Sequence, residues 1–243
     1  MTDAATPLIA ITGLSKAYSS GPPLRIERLS VHRHDRIALV DLDEAAAETL
    51  LHLVTGAAVP DEGTVLVSGH DTRAIATDTE WLASLDRFGL VTERAVLLDT
   101  LPIAANLAMP LTLSIDPMSD AVRAQVDALA ADVGLAADRL GHEASSLDDE
   151  ERVRVHLARA IAPGPELLLL EHPTARVKNR EGSIRLGETL KRVSERRAVG
   201  FIALTGDRDF ASAAGAIVVR IAPDTGAVAP ERWWQRLWGR TKR

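Results

Sequence analysis

Apolar residues run along this chain in two rhythms, short unbroken stretches and helical repeats, and their alternation predicts the fold. The plainest pair lies in residues 37–56. Ile37-Ala38-Leu39-Val40 is a continuous apolar run of the kind a strand shows when both faces are covered, and Leu50, Leu51, Leu53 and Val54 then recur at helical spacing up to Gly56. Upstream, residues 8–11, 24–31 and 36–40 read as strands punctuated by Ser19-Ser20-Gly21-Pro22-Pro23, a small antiparallel β portion that feeds the central strand. Downstream, Pro60-Asp61-Glu62-Gly63 reads as a turn, 64–68 as a strand, 78–86 as a short helix and 88–91 as another buried strand.

The period then becomes helical. Residues 103–113 form a first segment, and Ser119 caps a long amphipathic helix ending at Val133, with Pro110, Asp116-Pro117 and Gly134 as punctuation. This predicts a helical subdomain over about residues 95–160. Residues 146–161 read as a capped helix with acids at its start and bases at its end, which suits the helix dipole. A very apolar strand at 167–170, a helix at 182–196 and strands at 201–204 and 216–221 complete an alternating α/β pattern, the signature of a mostly parallel sheet.

Composition narrows the function. The 243 residues carry 46% hydrophobic and 26% charged side chains with a net charge of −6, a globular profile too acidic for a dedicated nucleic-acid binder. The absence of cysteine excludes thiolate metal sites and cysteine nucleophiles. With no apolar run of membrane-spanning length and no signal-peptide pattern in MTDAATPLIA, the expected address is cytoplasmic.

The strand and helix of residues 37–56 frame a loop with the length of a phosphate-binding motif, G-x-x-x-x-G-K-[ST], whose glycines let backbone amides approach phosphates and whose lysine reaches the terminal ones. Asp41 stands at the first glycine, Ala46 at the second, Ala47 at the lysine and Glu48 at the metal-holding hydroxyl, with Thr49 one place too late. Asp41, Asp43, Glu44 and Glu48 crowd the helix N-terminus that would otherwise attract an anion. A phosphate about 4 Å from one such charge meets about 1 kcal/mol of repulsion per unit charge in water and about 4 kcal/mol at a protein surface. An ordinary acid-rich first turn with Asp43 as N-cap accounts for the same residues, and no histidine or hydroxyl stands beside the acids to complete a metal site.

Taken together, the segments resemble the nucleotide-binding subunit of ATP-binding cassette transporters, nearest to the branch serving lipoprotein release, macrolide export and cell division. The resemblance covers about residues 8–225 and rests on Gly13-Leu14-Ser15-Lys16-Ala17-Tyr18, Pro60-Asp61-Glu62-Gly63-Thr64-Val65, Asn106-Leu107-Ala108-Met109-Pro110-Leu111, and Leu157-Ala158-Arg159-Ala160-Ile161-Ala162 followed by Pro165-Glu166-Leu167-Leu168-Leu169-Leu170. It implies a P-loop NTPase-like α/β fold over residues 1–225, with 226–243 as a C-terminal extension. It also implies roles by position. Tyr18 matches the adenine-stacking aromatic, Glu93 the glutamine that senses metal and water, and Leu147-Asp148-Asp149-Glu150-Glu151 the LSGGE signature that closes on phosphate from the opposite subunit. Glu171 matches the magnesium-supporting aspartate, His172 the general-base glutamate ahead of a kept Pro173-Thr174, Lys178 the D-loop aspartate and Gly206 the switch histidine.

Because phosphoryl transfer depends on positioning and charge stabilisation, these departures imply a non-hydrolysing subunit with no cofactor, structural or regulatory, that pairs with a membrane permease or an intact homologue on the inner face of the plasma membrane. Two alternatives stay open: a working transport ATPase that uses ATP and magnesium with compensated motifs, and a protein-binding module outside transport.

Residues 231–243 are different in kind. Trp233, Trp234, Leu237 and Trp238 share one helical face, while Arg232, Arg236, Arg240, Lys242 and Arg243 face Glu231 as the lone acid. The segment reads either as a helix docked on the domain or as one lying at an anionic membrane surface, where each basic residue contributes about 1 kcal/mol. Replacing Trp233, Trp234 and Trp238 together by alanine is expected to weaken sedimentation with anionic vesicles and leave the thermal midpoint almost unchanged. A large drop in the midpoint selects the docked helix.

Overall fold

The structure, a computed structural model, describes residues 6–19, 21–92 and 94–231. Two sheets enclose a helix. β1 (Ile9–Lys16), β2 (Leu24–Val31), β4 (Glu62–Val67) and β5 (His70–Asp71) form an antiparallel sheet in the order β2-β1-β4-β5. A six-stranded sheet runs β10-β9-β3-β8-β7-β6, from β3 (Arg36–Val40), β6 (Phe88–Val91), β7 (Leu167–Glu171), β8 (Gly200–Leu204), β9 (Ile217–Ile221) and β10 (Val228–Pro230). All its pairings are parallel except β10 on β9.

The continuous apolar strands are explained by burial on both faces. Leu167, Leu169, Ile202 and Leu204 point into a core shared with the antiparallel sheet and α1 (Glu44–Thr55). Leu168, Leu170, Phe201 and Ala203 point the other way, into a core shared with α3 (Ile103–Ala108), α4 (Asp120–Val133), α5 (Asp149–Ile161), α6 (Arg180–Arg197) and α7 (Arg208–Ala213). The short α2 (Asp78–Leu85) precedes β6 and carries a capping box between Thr77 and Glu80. α1 forms where the periodicity places it, opened by Asp43 and stopped by Gly56 in the left-handed conformation at φ 74. Ser119 and Gly134 bound α4 in the same way.

Several boundaries differ from the pattern. β1 runs on past residue 11 to Lys16, because a register shift between Thr12 and Ser15, with Gly13 at φ 58, breaks the alternation while keeping the pairing. α3 stops at Ala108 and not at 113: Pro110 has no N–H to continue the i→i−4 ladder, although Met109 keeps α-region dihedrals. α5 begins at Asp149 and not at 146, because Ala144–Ser146 close a separate 3-10 turn. α7 and β10 are too short to show a period of their own.

β6 is held in place by its parallel ladder to β7 and by α5, which packs directly on its backbone. A Cβ at Gly89 would stand 2.5 Å from the Ala160 carbonyl oxygen and 2.6 Å from Leu168 Cδ2. Gly89→Ala is expected to destabilise the protein by about 1–3 kcal/mol, seen as a lower urea midpoint with an unchanged slope; an unchanged midpoint would show that this contact is loose.

Candidate functional site

The carboxyl ends of β3, β6, β7 and β8 converge on the loop before α1, the place where open α/β sheets hold ligands. Asp43 caps α1: its Oδ1 accepts from Ala46 N at 2.7 Å, and its carbonyl accepts from Ala47 N at 2.9 Å. Amides that a helix N-terminus offers to an anion are thus engaged by the chain itself. The second oxygen, Asp43 Oδ2, accepts from the Tyr18 hydroxyl at 3.5 Å. Partial burial and then the Asp43 charge raise the Tyr18 pKa. Ala47 is fully enclosed in the core beside Leu51, so the position matching the phosphate lysine faces the interior. Thr49 donates to Ala45 O at 2.7 Å within the helix.

Ion pairs hold the other acids. Asp41, at φ 66, meets Arg220 Nε at 2.7 Å and Arg208 Nη2 at 3.8 Å, and both arginines also reach Glu231. Glu48 Oε1 lies 2.8 Å from Arg94 Nη1 and 3.9 Å from His52 Nε2. The same guanidinium donates from Nη2 to Glu171 Oε2 at 2.6 Å. Glu171 is only 6% exposed, so this partner stabilises a charge that would otherwise be buried alone.

His172 follows Glu171 at φ 42, with Nε2 enclosed and unpartnered among the described residues. Glu171 and His172 line two cavities. One, of about 360 Å³, opens toward Leu42, Asp43 and Arg94. The other, of about 220 Å³, extends to Asp99, Asp149, Arg152 and His156. Among the described residues no group of three histidine or acidic side chains could hold a metal ion.

The acids at the start of α5 are also engaged internally. Asp148 is its N-cap and accepts from Glu151 N at 2.8 Å, closing a capping box with Glu151. Glu151 takes two bonds from Arg139, and Glu150 pairs with Arg154 and Arg185. Burial alone would raise the pKa values of Glu150 and Glu151, but hydrogen bonds from Arg185 and Arg154 to the first, and from Arg139 and the Asp148 amide to the second, outweigh it and hold both below the usual range. Leu147 is buried in the core and Asp149 lines the smaller cavity.

Lys178 is exposed ahead of α6, and Gly206 is exposed ahead of Asp207, the N-cap of α7. Glu93 lies outside the described residues, as do Trp233, Trp234, Arg236, Trp238 and Arg240. The residues the sequence reading misses are the cations, Arg94, Arg139, Arg185, Arg208 and Arg220. Arg94 had one local signal, its place directly after Glu93; the others are brought in by the fold from distant segments.

Residues 47–175 match the family model described as ABC transporter. The lipoprotein-releasing system ATP-binding protein LolD of Bordetella pertussis is 32% identical over 213 residues, covering 86% of this chain and 90% of that protein. The macrolide export ATP-binding/permease protein MacB of Burkholderia lata is 29% identical over 220 residues, 87% of this chain and 31% of its own length. In structure, the dimeric ATP-binding cassette MJ0796 bound to ADP and Pi superposes with a TM-score of 0.72 at 20% identity, covering 92% of this chain and 97% of that one. The fold is that of an ATP-binding cassette. The chain belongs to the ABC transporter family.

These relatives overturn the expectation that no cofactor is used, since they are ATP-binding proteins and the structural neighbour carries nucleotide. The cofactor to test here is therefore ATP with the magnesium that P-loop phosphoryl transfer employs. As the side chains stand, the site does not fit that group without an exchange: a triphosphate would have to displace Asp43 from Ala46 N, and its cation would meet Arg94 already lodged between Glu48 and Glu171.

His156, on α5, generates a pH dependence. Burial, then the charges of Arg159 and Arg152, push its pKa down to about 4. Unfolding raises it to about 6.5, so the unfolded chain binds the extra proton and stability falls as pH drops from about 6.5 toward 4. In His156→Gln, urea midpoints between pH 6.5 and 5 are expected to flatten relative to the parent. Parallel curves would place the titration elsewhere.

Proposed function

We propose that this protein is a non-hydrolysing homologue of the ATP-binding subunits of ABC transporters, acting as a structural or regulatory subunit with a membrane permease, an intact ATPase homologue, or both. In this reading ATP, the ligand named for its relatives, is bound without being turned over. The site is peripheral, on the cytoplasmic side of the membrane beside the permease. No helix among the described residues is long and apolar enough to cross a membrane, so a membrane location would come from a partner or a surface contact.

One observation carries the proposal. The charges at the positions the family uses for phosphate and metal are satisfied inside this chain: Asp41 by Arg220, Glu48 and Glu171 by Arg94, Glu150 by Arg185, and Glu151 by Arg139. A positively charged lysine and an acidic base are replaced by a buried Ala47 and by His172. In the dimer geometry of the family each nucleotide lies between one subunit's phosphate loop and the other's signature, so pairing with an intact partner would leave one site with this chain's loop and the other with its Asp148-to-Glu151 segment.

A working ATPase is the competing reading, favoured by the relatives' names and by His172, whose imidazole Nε2 stands unpartnered at the strand end among the described residues. Phosphate release separates them. The parent protein, alone and with its permease, is expected to release phosphate no faster than buffer. The variant carrying Asp41→Gly, Ala46→Gly, Ala47→Lys and Glu48→Ser is expected at most to bind nucleotide more tightly than the parent, without turnover, because His172, Lys178, Gly206 and the acidic start of α5 remain. Sustained turnover by either protein would overturn the proposal.

A further inference from the structure

Arg94 joins the first turns of α1 to the end of β7 by ion pairs to Glu48 and Glu171. One rigid guanidinium plane presents Nη1 to Glu48 at 2.8 Å and Nη2 to Glu171 at 2.6 Å. By the family's positions, Glu48 and Glu171 are where P-loop enzymes hold magnesium, through a hydroxyl and an aspartate respectively. A magnesium ion shared by the two carboxylates would need an oxygen from each at about 2.0–2.1 Å. The space between them is filled by the guanidinium. Two carboxylates with one guanidinium also leave a net negative charge, which a divalent cation would neutralise and Arg94 does not.

We propose that Arg94 and the divalent cation of a magnesium nucleotide are mutually exclusive occupants of the space between Glu48 and Glu171, so that Arg94 sets the affinity for the cation-bound form. Residues 95–99 are tied to the helices independently, by Arg159 to Val96 O at 2.8 Å, Arg152 to Asp99 at 3.0 Å, and Asn106 to both backbone groups of Leu98. Arg94 ties the same loop to Glu48 on α1 and Glu171 on β7.

The inference rests on the positional reading used in the proposed function, and the experiment separates their failures. Calorimetry with a non-hydrolysable ATP analogue is run in magnesium and in EDTA on the parent, Arg94→Gln, Arg94→Lys and Arg94→Gln with Glu171→Gln. Arg94→Gln is expected to bind the magnesium form at least tenfold more tightly than the parent, with equal affinities in EDTA. Arg94→Lys, which keeps the charge but serves one carboxylate at a time, should fall between them. The double variant removes the buried charge that Arg94→Gln leaves unpaired, which guards against misfolding, and it is expected to lose the magnesium-dependent gain. Equal or weaker magnesium binding by Arg94→Gln, including none detectable, overturns the exchange, as does a gain that persists in the double variant. Phosphate release by the parent would overturn the non-hydrolysing reading and leave the exchange standing.

Discussion

The structure depends on how carboxylates are answered at the carboxyl edge of its parallel sheet. Several acids stand where the sheet and α1 meet, and an unpaired charge there would oppose the close packing of both cores. The chain answers with a helix cap at Asp43, an ion pair from Arg220 to Asp41, and one arginine shared by Glu48 and Glu171. The half-exposed pairs contribute little alone. The pair at the nearly enclosed Glu171 matters more, because removing Arg94 would leave a buried carboxylate uncompensated.

The start of α5 repeats the device. Asp148 closes the first turn, and Glu150 and Glu151 are drawn to Arg185 and Arg139. Helix N-termini attract anions because their amides are free. At both α1 and α5 this chain supplies the anion itself, so ligand binding becomes an exchange against internal contacts rather than the filling of a prepared cradle. That view accommodates relatives named as ATP-binding proteins and a local chemistry in which Ala47 and His172 stand where the resemblance would place a lysine and an acidic base.

Much of the architecture is legible in the amino-acid order. β7 and β8 read as strands covered on both faces because Leu167 to Leu170 and Phe201 to Leu204 have no polar side to give to water, and the two cores receive alternate residues from each. Asp43, Ser119, Gly56 and Gly134 mark helix ends in sequence and in structure, since caps act on amides and carbonyls within one turn. The bulge in β1, the early stop of α3 and the brevity of α7 are where periodicity misleads, each for a local reason.

What the sequence by itself determined is therefore the α/β frame and the capped helix after β3, because periodicity and capping act at or near each residue. What only the tertiary structure decided is which charge answers which. Glu48 and Glu171 lie far apart in sequence and meet through Arg94, and Asp41 finds Arg220 only because β3 pairs with β9. Electrostatic partners are set by distance in space, and parallel strands joined by crossovers bring together segments that no local pattern relates.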